Sequence, residues 1–326
     1  MTGLKKRRVF LSTALSCMCL TLVACGKGGQ TETLYENGRM ESFLEESSSS
    51  GERASAFASD LCVVTGSEPS SDSGVNAEAA TLFSVKDKQV LFQKNPFERM
   101  NPASITKIMT ALIALQDGDL QKEIIVGKET VITEAGASLC HINPGETLTL
   151  EQLLYGLMLP SGNDAASAIA VYEAGSVEAF ADKMNETAWK LGATDTHFVN
   201  PHGLTDPEHY TTAYDLYLIF NECLKYPEFR KIIGTTEYTA EYKDANGVAK
   251  SQKWESSNQY LTGKRETPDG VTVLGGKTGT TQAAGYCLIL GCEDDQNQDY
   301  ISVVMKASNR PELYGNMTNI IQKIVK

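Results

Sequence analysis

"PASITKIMTALIAL", residues 102 to 115, decides how this chain is read. Ile105, Ile108, Met109 and Leu112 recur at i, i+3, i+4 and i+7, and Pro102 stands where a first helical turn tolerates it, so the stretch predicts a helix. Ala103, Ala111 and Ala114 leave no polar face opposite that stripe, which makes the helix apolar nearly all round and places it in a core. Lys107 is its only charge. Burial disfavours an ammonium, so this lysine must find acceptors, surrender its proton, or serve a purpose that outweighs the cost. Ser104 lies three residues earlier, on the same face. An isolated Ser-x-x-Lys is usually just a polar helix start with a lysine that snorkels to the surface, so the rest of the chain must decide its meaning.

The 326 residues, 41% of them hydrophobic, suffice for one large domain or two modest ones. Residues 1–24 differ from the rest. Lys5, Lys6, Arg7 and Arg8 precede an apolar run from Val9 to Ala24 without an acidic residue, the layout of a signal peptide. The run is short for a membrane span and ends at "LVAC", Leu22 to Cys25, followed by Gly26. This resembles a lipobox, which implies cleavage before Cys25, a lipid on its thiol, and an exported lipoprotein on the extracytoplasmic face of the cell membrane. Cleavage would remove four positive charges and no negative ones, taking the formal net charge from −12 to about −16. So acidic a chain is a poor partner for nucleic acid.

Of eight cysteines, Cys17 and Cys19 fall in the signal and Cys25 at the lipidation site, leaving Cys62, Cys140, Cys223, Cys287 and Cys292. An odd number, with no Cys-x-x-Cys and no histidine at ligand spacing, argues against a disulfide framework and a zinc site. No metal or other cofactor is expected. Cys287 and Cys292, five apart on one predicted strand, should point to opposite faces.

Residues 25–74, rich in Ser, Gly and Glu, read as a tether that would span roughly 40 Å if wholly flexible. "FASDLCVV", residues 57–64, is apolar enough for an early strand, which would end the tether near residue 58. The predicted catalytic domain, 75–326, opens with a hairpin, "AATLFSVKDKQVLFQKN". Thr149 and Gln152 form a capping box for a helix through Met158, and further helices are expected over about 164–174, 176–191 and 213–224, with Gly175 and Gly192 as stops. "VTVLGGKTGT", "GYCLILGC" and "YISVVMKA" then read as three strands, and a helix over about 311–325 closes the chain. Strands at both ends with helices between predict an α+β fold, an antiparallel sheet built from distant segments and covered by helices.

Two further motifs change the meaning of Ser104. Ser161-Gly162-Asn163, in "LMLPSGNDAA", sits in a tight connection between two helices, and Lys277-Thr278-Gly279, in "LGGKTGTTQAAGYC", ends an apolar strand. Each tripeptide alone is commonplace. In the order Ser-x-x-Lys, Ser-x-Asn, Lys-Thr-Gly, with the first residues 57 and then 116 positions apart, they match the signature of serine β-lactamases and penicillin-binding proteins. The chain resembles the D-alanyl-D-alanine carboxypeptidases, the low-molecular-weight penicillin-binding proteins. The likeness extends through residues 100–107, "LMLPSGNDAA", "NPHGLTDPEHYTTAYDL" and "KTGTTQAAGYCL", and covers most of residues 75–326.

The resemblance implies a β-lactamase/DD-peptidase-like fold with a mostly helical second lobe, and peptidoglycan stem peptides ending in D-Ala-D-Ala as substrates. β-Lactams would be covalent inhibitors. A serine needs a base to become a good nucleophile, and a desolvated lysine can supply one, so Ser104 is the expected nucleophile and Lys107 its base. Lys277 nearby would depress the Lys107 pKa further. By resemblance Ser161 is a proton relay, and Asn163 orients Lys107 and holds the substrate amide. The backbone N–H of Thr280 joins one at the helix start in an oxyanion hole. Lys277 and Thr278 suit a free substrate carboxylate, and Gly279 lets substrate backbone approach the strand edge.

A class A β-lactamase would need a glutamate in a Glu-x-x-x-Asn stretch, and residues 164–276 contain none. A DD-endopeptidase shares the constellation and differs only in pocket shape. A non-catalytic wall-binding lipoprotein would be expected to carry a damaged motif, and all three motifs are intact. His202 and His209, in a turn-rich loop, read as structural, Asp215 as a helix-start partner of Thr212, and Arg310 as a further candidate for the substrate carboxylate. The chain ends soon after its last helix, leaving no room for the extra C-terminal domain or amphipathic anchor of better-known family members. The N-terminal lipid is expected to replace that anchor.

Overall fold

The computed structural model describes residues 60–64, 72 and 74–325, all within the unit Ala56–Lys326. The predicted signal peptide, Cys25 and most of the tether lie outside the described residues.

Five antiparallel strands form the main sheet: β1 (Ala79–Ser84), β2 (Gln89–Lys94), β7 (Val271–Thr281), β8 (Gly285–Asp294) and β9 (Asp299–Ala307). Their spatial order is β2-β1-β9-β8-β7, so the first hairpin docks on the last strand and β7 lies at an edge. Both faces are buried. On one side Phe83, Cys287, Ile289, Val303 and Met305 join the core of the helical lobe, while on the other Leu82, Leu288, Leu290, Cys292 and Val304 pack under the last helix. Cys287 and Cys292 therefore face opposite ways, as the period of two requires, and all five described cysteines are buried and free.

The predicted buried helix is α1 (Lys107–Asp117), preceded by a 3-10 turn over Ala103–Thr106. Every residue from Ile105 to Leu115 is buried. Around α1 stand α2 (Leu150–Met158), α3 (Asn163–Ala174), α4 (Val177–Lys190), α5 (Ala213–Cys223) and the short α6 (Pro227–Ile233), with α7 (Arg310–Ile321) on the far face of the sheet. The Thr149–Gln152 capping box is present, with both reciprocal bonds made.

The second lobe, mostly helical as the resemblance implied, also carries a small sheet. A four-stranded sheet, β3 (Glu123–Ile125), β4 (Thr147–Thr149), β5 (Glu237–Lys243) and β6 (Ala249–Glu255), sits against α2. It docks through aromatics: Tyr238 stacks on Tyr155 at 3.8 Å between ring centroids, and Trp254 donates to the Cys140 carbonyl at 2.9 Å.

The early strand does not form over residues 60–64, which run as turn and coil. They are nonetheless pinned to the domain. Cys62 is fully buried, its N–H donates to the Tyr217 hydroxyl at 2.9 Å, and its carbonyl accepts from the Tyr214 hydroxyl at 2.8 Å. With its backbone groups taken by two tyrosines of α5, this segment has no need of a strand partner.

Candidate active site

The site lies where the start of α1, the start of α3 and the edge strand β7 converge. Ser104 falls inside the 3-10 turn and Lys107 is the first residue of α1. In 3-10 geometry residues i and i+3 eclipse, which brings the Lys107 Nζ to 3.0 Å from the Ser104 hydroxyl. The residue just before the serine, Ala103, is held at φ +49°, and Ser161 at φ +66°. Such left-handed non-glycine backbone costs on the order of 1–3 kcal/mol each and persists where the surroundings over-determine it.

Two other partners complete the Lys107 environment: Asn163 Oδ1 at 2.7 Å and the His202 carbonyl at 2.7 Å. Both are acceptors only. A neutral amine has two N–H bonds and one lone pair, so if these acceptors take both N–H bonds, the lone pair is left for the Ser104 hydroxyl proton. The environment favours that neutral form. Burial first, then the charge of Lys277, holds Lys107 well below the ordinary lysine range, against smaller opposing effects of Asp164 and Cys140.

Lys277 is also buried, and desolvation brings it down to about 7. It donates to the Ser161 hydroxyl at 2.8 Å and to the Thr278 carbonyl at 2.9 Å, which leaves a third donor of the ammonium for a ligand. Ser161 is therefore joined to the Lys-Thr-Gly strand, and Asn163 to the Ser-x-x-Lys helix. The structure brings together Ser104, Lys107, Ser161, Asn163, Lys277 and Thr278, with Thr280 exposed one residue beyond Gly279.

Gly279 has a more local reason than substrate access. A Cβ there would lie 2.9 Å from the Pro102 carbonyl oxygen and 3.0 Å from the Ser104 nitrogen, so only glycine lets β7 approach the turn that carries Ser104. Gly203 answers to the same crowding from the other side: at φ +85° its Cβ would sit 1.8 Å from the Ala103 carbonyl oxygen.

Three contributors were missed in the sequence. The His202 carbonyl is a backbone group and carries no side-chain signal. Asp164, next to Asn163, is buried and accepts from the Cys140 and Ile142 N–H groups at 2.9 and 3.2 Å, tying the loop before β4 to the Ser-x-Asn corner. The Ser257 hydroxyl, 2.7 Å from that of Thr278, comes from the connection between β6 and β7 and was hidden by sequence distance. Thr212 caps α5 by accepting from the Asp215 N–H at 3.0 Å, the helix-start partnership expected, while the Asp215 carboxylate accepts from the Asp195 N–H and the Thr196 hydroxyl, and burial pushes it up to about 6. Arg310 is exposed in the first turn of α7. Among the described residues no cluster of His, Cys, Asp or Glu could hold a metal ion.

A Ser-x-x-Lys pair with its lysine buried, flanked by Ser-x-Asn and an edge-strand Lys-Thr-Gly at the junction of a five-stranded sheet and a helical lobe, defines the fold class of the penicillin-binding DD-peptidases. The crystal structure of the Streptomyces K15 DD-transpeptidase superposes with a TM-score of 0.71 at 30% identity, covering 76% of this chain and 97% of that one. The sequence matches the family described as D-alanyl-D-alanine carboxypeptidase over residues 64–309, and the chain belongs to that family. The D-alanyl-D-alanine carboxypeptidase DacF of Bacillus subtilis (strain 168) is 36% identical over 249 residues, 75% of this chain and 61% of that protein. The D-alanyl-D-alanine carboxypeptidase of Streptomyces sp. (strain K15) is 31% identical over 242 residues, 71% of this chain and 81% of that protein.

Proposed function

We propose that this protein is a serine-type D-Ala-D-Ala carboxypeptidase that removes the terminal D-alanine from peptidoglycan pentapeptides. The observation that carries this reading is Lys107, fully buried, with both N–H acceptors supplied and its remaining contact made to Ser104. Ser104 Oγ attacks the carbonyl carbon of the penultimate D-alanine as its proton passes to Lys107 Nζ. The N–H groups of Ser104 and Thr280 take the oxyanion. Collapse breaks the C–N bond as the Ser161 hydroxyl gives its proton to the departing amine and takes the Lys107 proton in return; Lys107, neutral again, then deprotonates the water that hydrolyses the ester, and its proton returns to Ser104 Oγ. Asn163 holds the substrate amide, and Lys277 and Thr278 bind the terminal carboxylate. β-Lactams acylate the same serine, and without a Glu-x-x-x-Asn base efficient hydrolysis of the adduct is not expected.

The membrane-anchored form of this reading has an N-terminal signal, lipidation of Cys25 and a site held outside the cell by the tether. Its support is the sequence of residues 1–25. Radiolabelled palmitate incorporated into the wild type and not into Cys25→Ser is the expected result, and equal labelling of both removes the anchor.

Incubation with a muramyl pentapeptide and with a cross-linked dimer tests the activity. D-Alanine release from the pentapeptide is expected, and cleavage of the dimer alone makes the protein an endopeptidase.

The pH profile follows from the two lysines. Lys277 must be charged to bind a carboxylate, and that charge is lost as pH rises through about 7, whereas Lys107 acts as base only once its proton has gone. The kcat/KM for the pentapeptide should therefore fall above about pH 7, by up to tenfold per unit, while the acid limb reports Lys107. Lys277→Arg, which stays charged, should move the alkaline limb upward. An alkaline limb unchanged in Lys277→Arg would remove Lys277 from carboxylate binding.

A further inference from the structure

His209 is the one buried imidazole in direct hydrogen-bonding contact with the turn that carries Ser104, and none of the catalytic steps above uses it. It is 1% exposed. Its Nδ1 accepts from the Val199 N–H at 3.1 Å, so the ring proton sits on Nε2, which donates to the Thr106 hydroxyl at 2.8 Å. Burial lowers its pKa to about 4, keeping it neutral at working pH, although Asp206 pulls the other way. Its carbonyl accepts from Asn101 Nδ2 at 3.2 Å, and Asn101 Oδ1 in turn accepts from the Ala103 N–H at 3.1 Å.

These contacts make a suture. The loop over residues 199–203 is laid along the start of α1 at three successive points: Val199 reaches Thr106 through the His209 ring, the His202 carbonyl accepts from Lys107, and the Pro201 carbonyl accepts from the Thr110 hydroxyl at 2.6 Å. Two of the three are direct. Only the link to Thr106, the one that ends within the 3-10 turn itself, is made through an intermediary, and that intermediary is a rigid ring with one donor and one acceptor.

We propose that His209 is a positioning residue for acylation: through Thr106 it fixes the turn that carries Ser104, and through Val199 it fixes the loop that presents the His202 carbonyl to Lys107. This rests on the carboxypeptidase reading, and its effect falls on the chemical step, because His209 touches neither the Lys-Thr-Gly strand nor the substrate carboxylate site.

The test is stopped-flow acylation by a fluorescent penicillin, which separates non-covalent binding from the acylation rate constant, with melting temperature recorded for each variant. In His209→Ala and in Thr106→Val, acylation should slow by about ten- to a hundredfold with the non-covalent dissociation constant unchanged, as expected for displacement of a reacting group. The double variant should be no slower than the worse single one. His209→Gln places a side-chain amide N–H near the Nε2 position and should recover most of the rate, whereas His209→Asn, which can serve only Val199, should not. Should His209→Ala fail to fold, the other three variants carry the comparison. A folded His209→Ala or Thr106→Val that acylates at the wild-type rate overturns the proposal. So does equal slowing in Gln and Asn, or a loss confined to non-covalent binding. Failure of the carboxypeptidase reading looks different: the wild-type protein itself would not be labelled at Ser104.

Discussion

Ser104→Ala is expected to abolish covalent labelling by fluorescent penicillin and to reduce D-alanine release by roughly ten-thousandfold or more, the scale on which loss of a catalytic serine falls. The expectation is strict because the substitution removes one oxygen whose described hydrogen bond is the 3.0 Å contact from Lys107. The side chain is only half-buried, so the folded state should change by no more than about 0.5 kcal/mol. Loss of activity with an unchanged melting temperature would then report chemistry alone. Intact-mass analysis after exposure to penicillin provides the check. A mass increase that persists in Ser104→Ala would place the nucleophile elsewhere and undo the assignment.

Lys107→Ala should lose acylation by about a hundred- to ten-thousandfold, the range for removal of a general base. Here the fold is a separate question. The Asn163 Oδ1 and His202 carbonyl acceptors lose their donor, at about 1–3 kcal/mol for each one left unsatisfied, but a costly buried amine beside Lys277 is also removed. A folded, inactive protein is the expected result. Lys107→Arg separates charge from basicity, since a guanidinium keeps the positive charge yet cannot give up its proton at working pH. It should be as inactive as alanine, and normal acylation in either variant would remove Lys107 from the role of base.

The parts of the site that were legible in the sequence are those whose chemistry resides in side chains at fixed spacing. Lys107 stood out because a charge inside a wholly apolar helix is costly, and the other two motifs gave it partners. The first hairpin, the capped helix from Leu150 and the three C-terminal strands were legible because their apolar runs are long and bounded by turn residues. The second sheet was not. β5 and β6, "EYTAEYK" and "AKSQKWE", bury only alternate residues and carry charge on the open face, while β3 and β4 are three residues each. The 3-10 turn ahead of α1 and the left-handed Ala103 are set by contacts with Gly203 and Gly279, residues a hundred or more positions away, which no local pattern encodes. The His202 carbonyl shows the same limit more sharply: the atom that meets Lys107 belongs not to the histidine ring but to the backbone, which every residue possesses.

The strand order β2-β1-β9-β8-β7 also bears on how the protein comes to be made. The Ser302 hydroxyl donates to the Thr81 carbonyl across 221 residues of sequence, so the N-terminal hairpin has no sheet to join until nearly the whole chain exists. High contact order of this kind makes for slow folding, because loop closure must come before the pairing that rewards it. A ribosome-bound fragment ending before β7 holds both Ser104 and Lys107 yet lacks Lys277, Gly279 and the strands that support them. Such a fragment lacks an assembled site, which is complete only when the last sixth of the polypeptide, from Val271 onward, packs against the turn that carries Ser104.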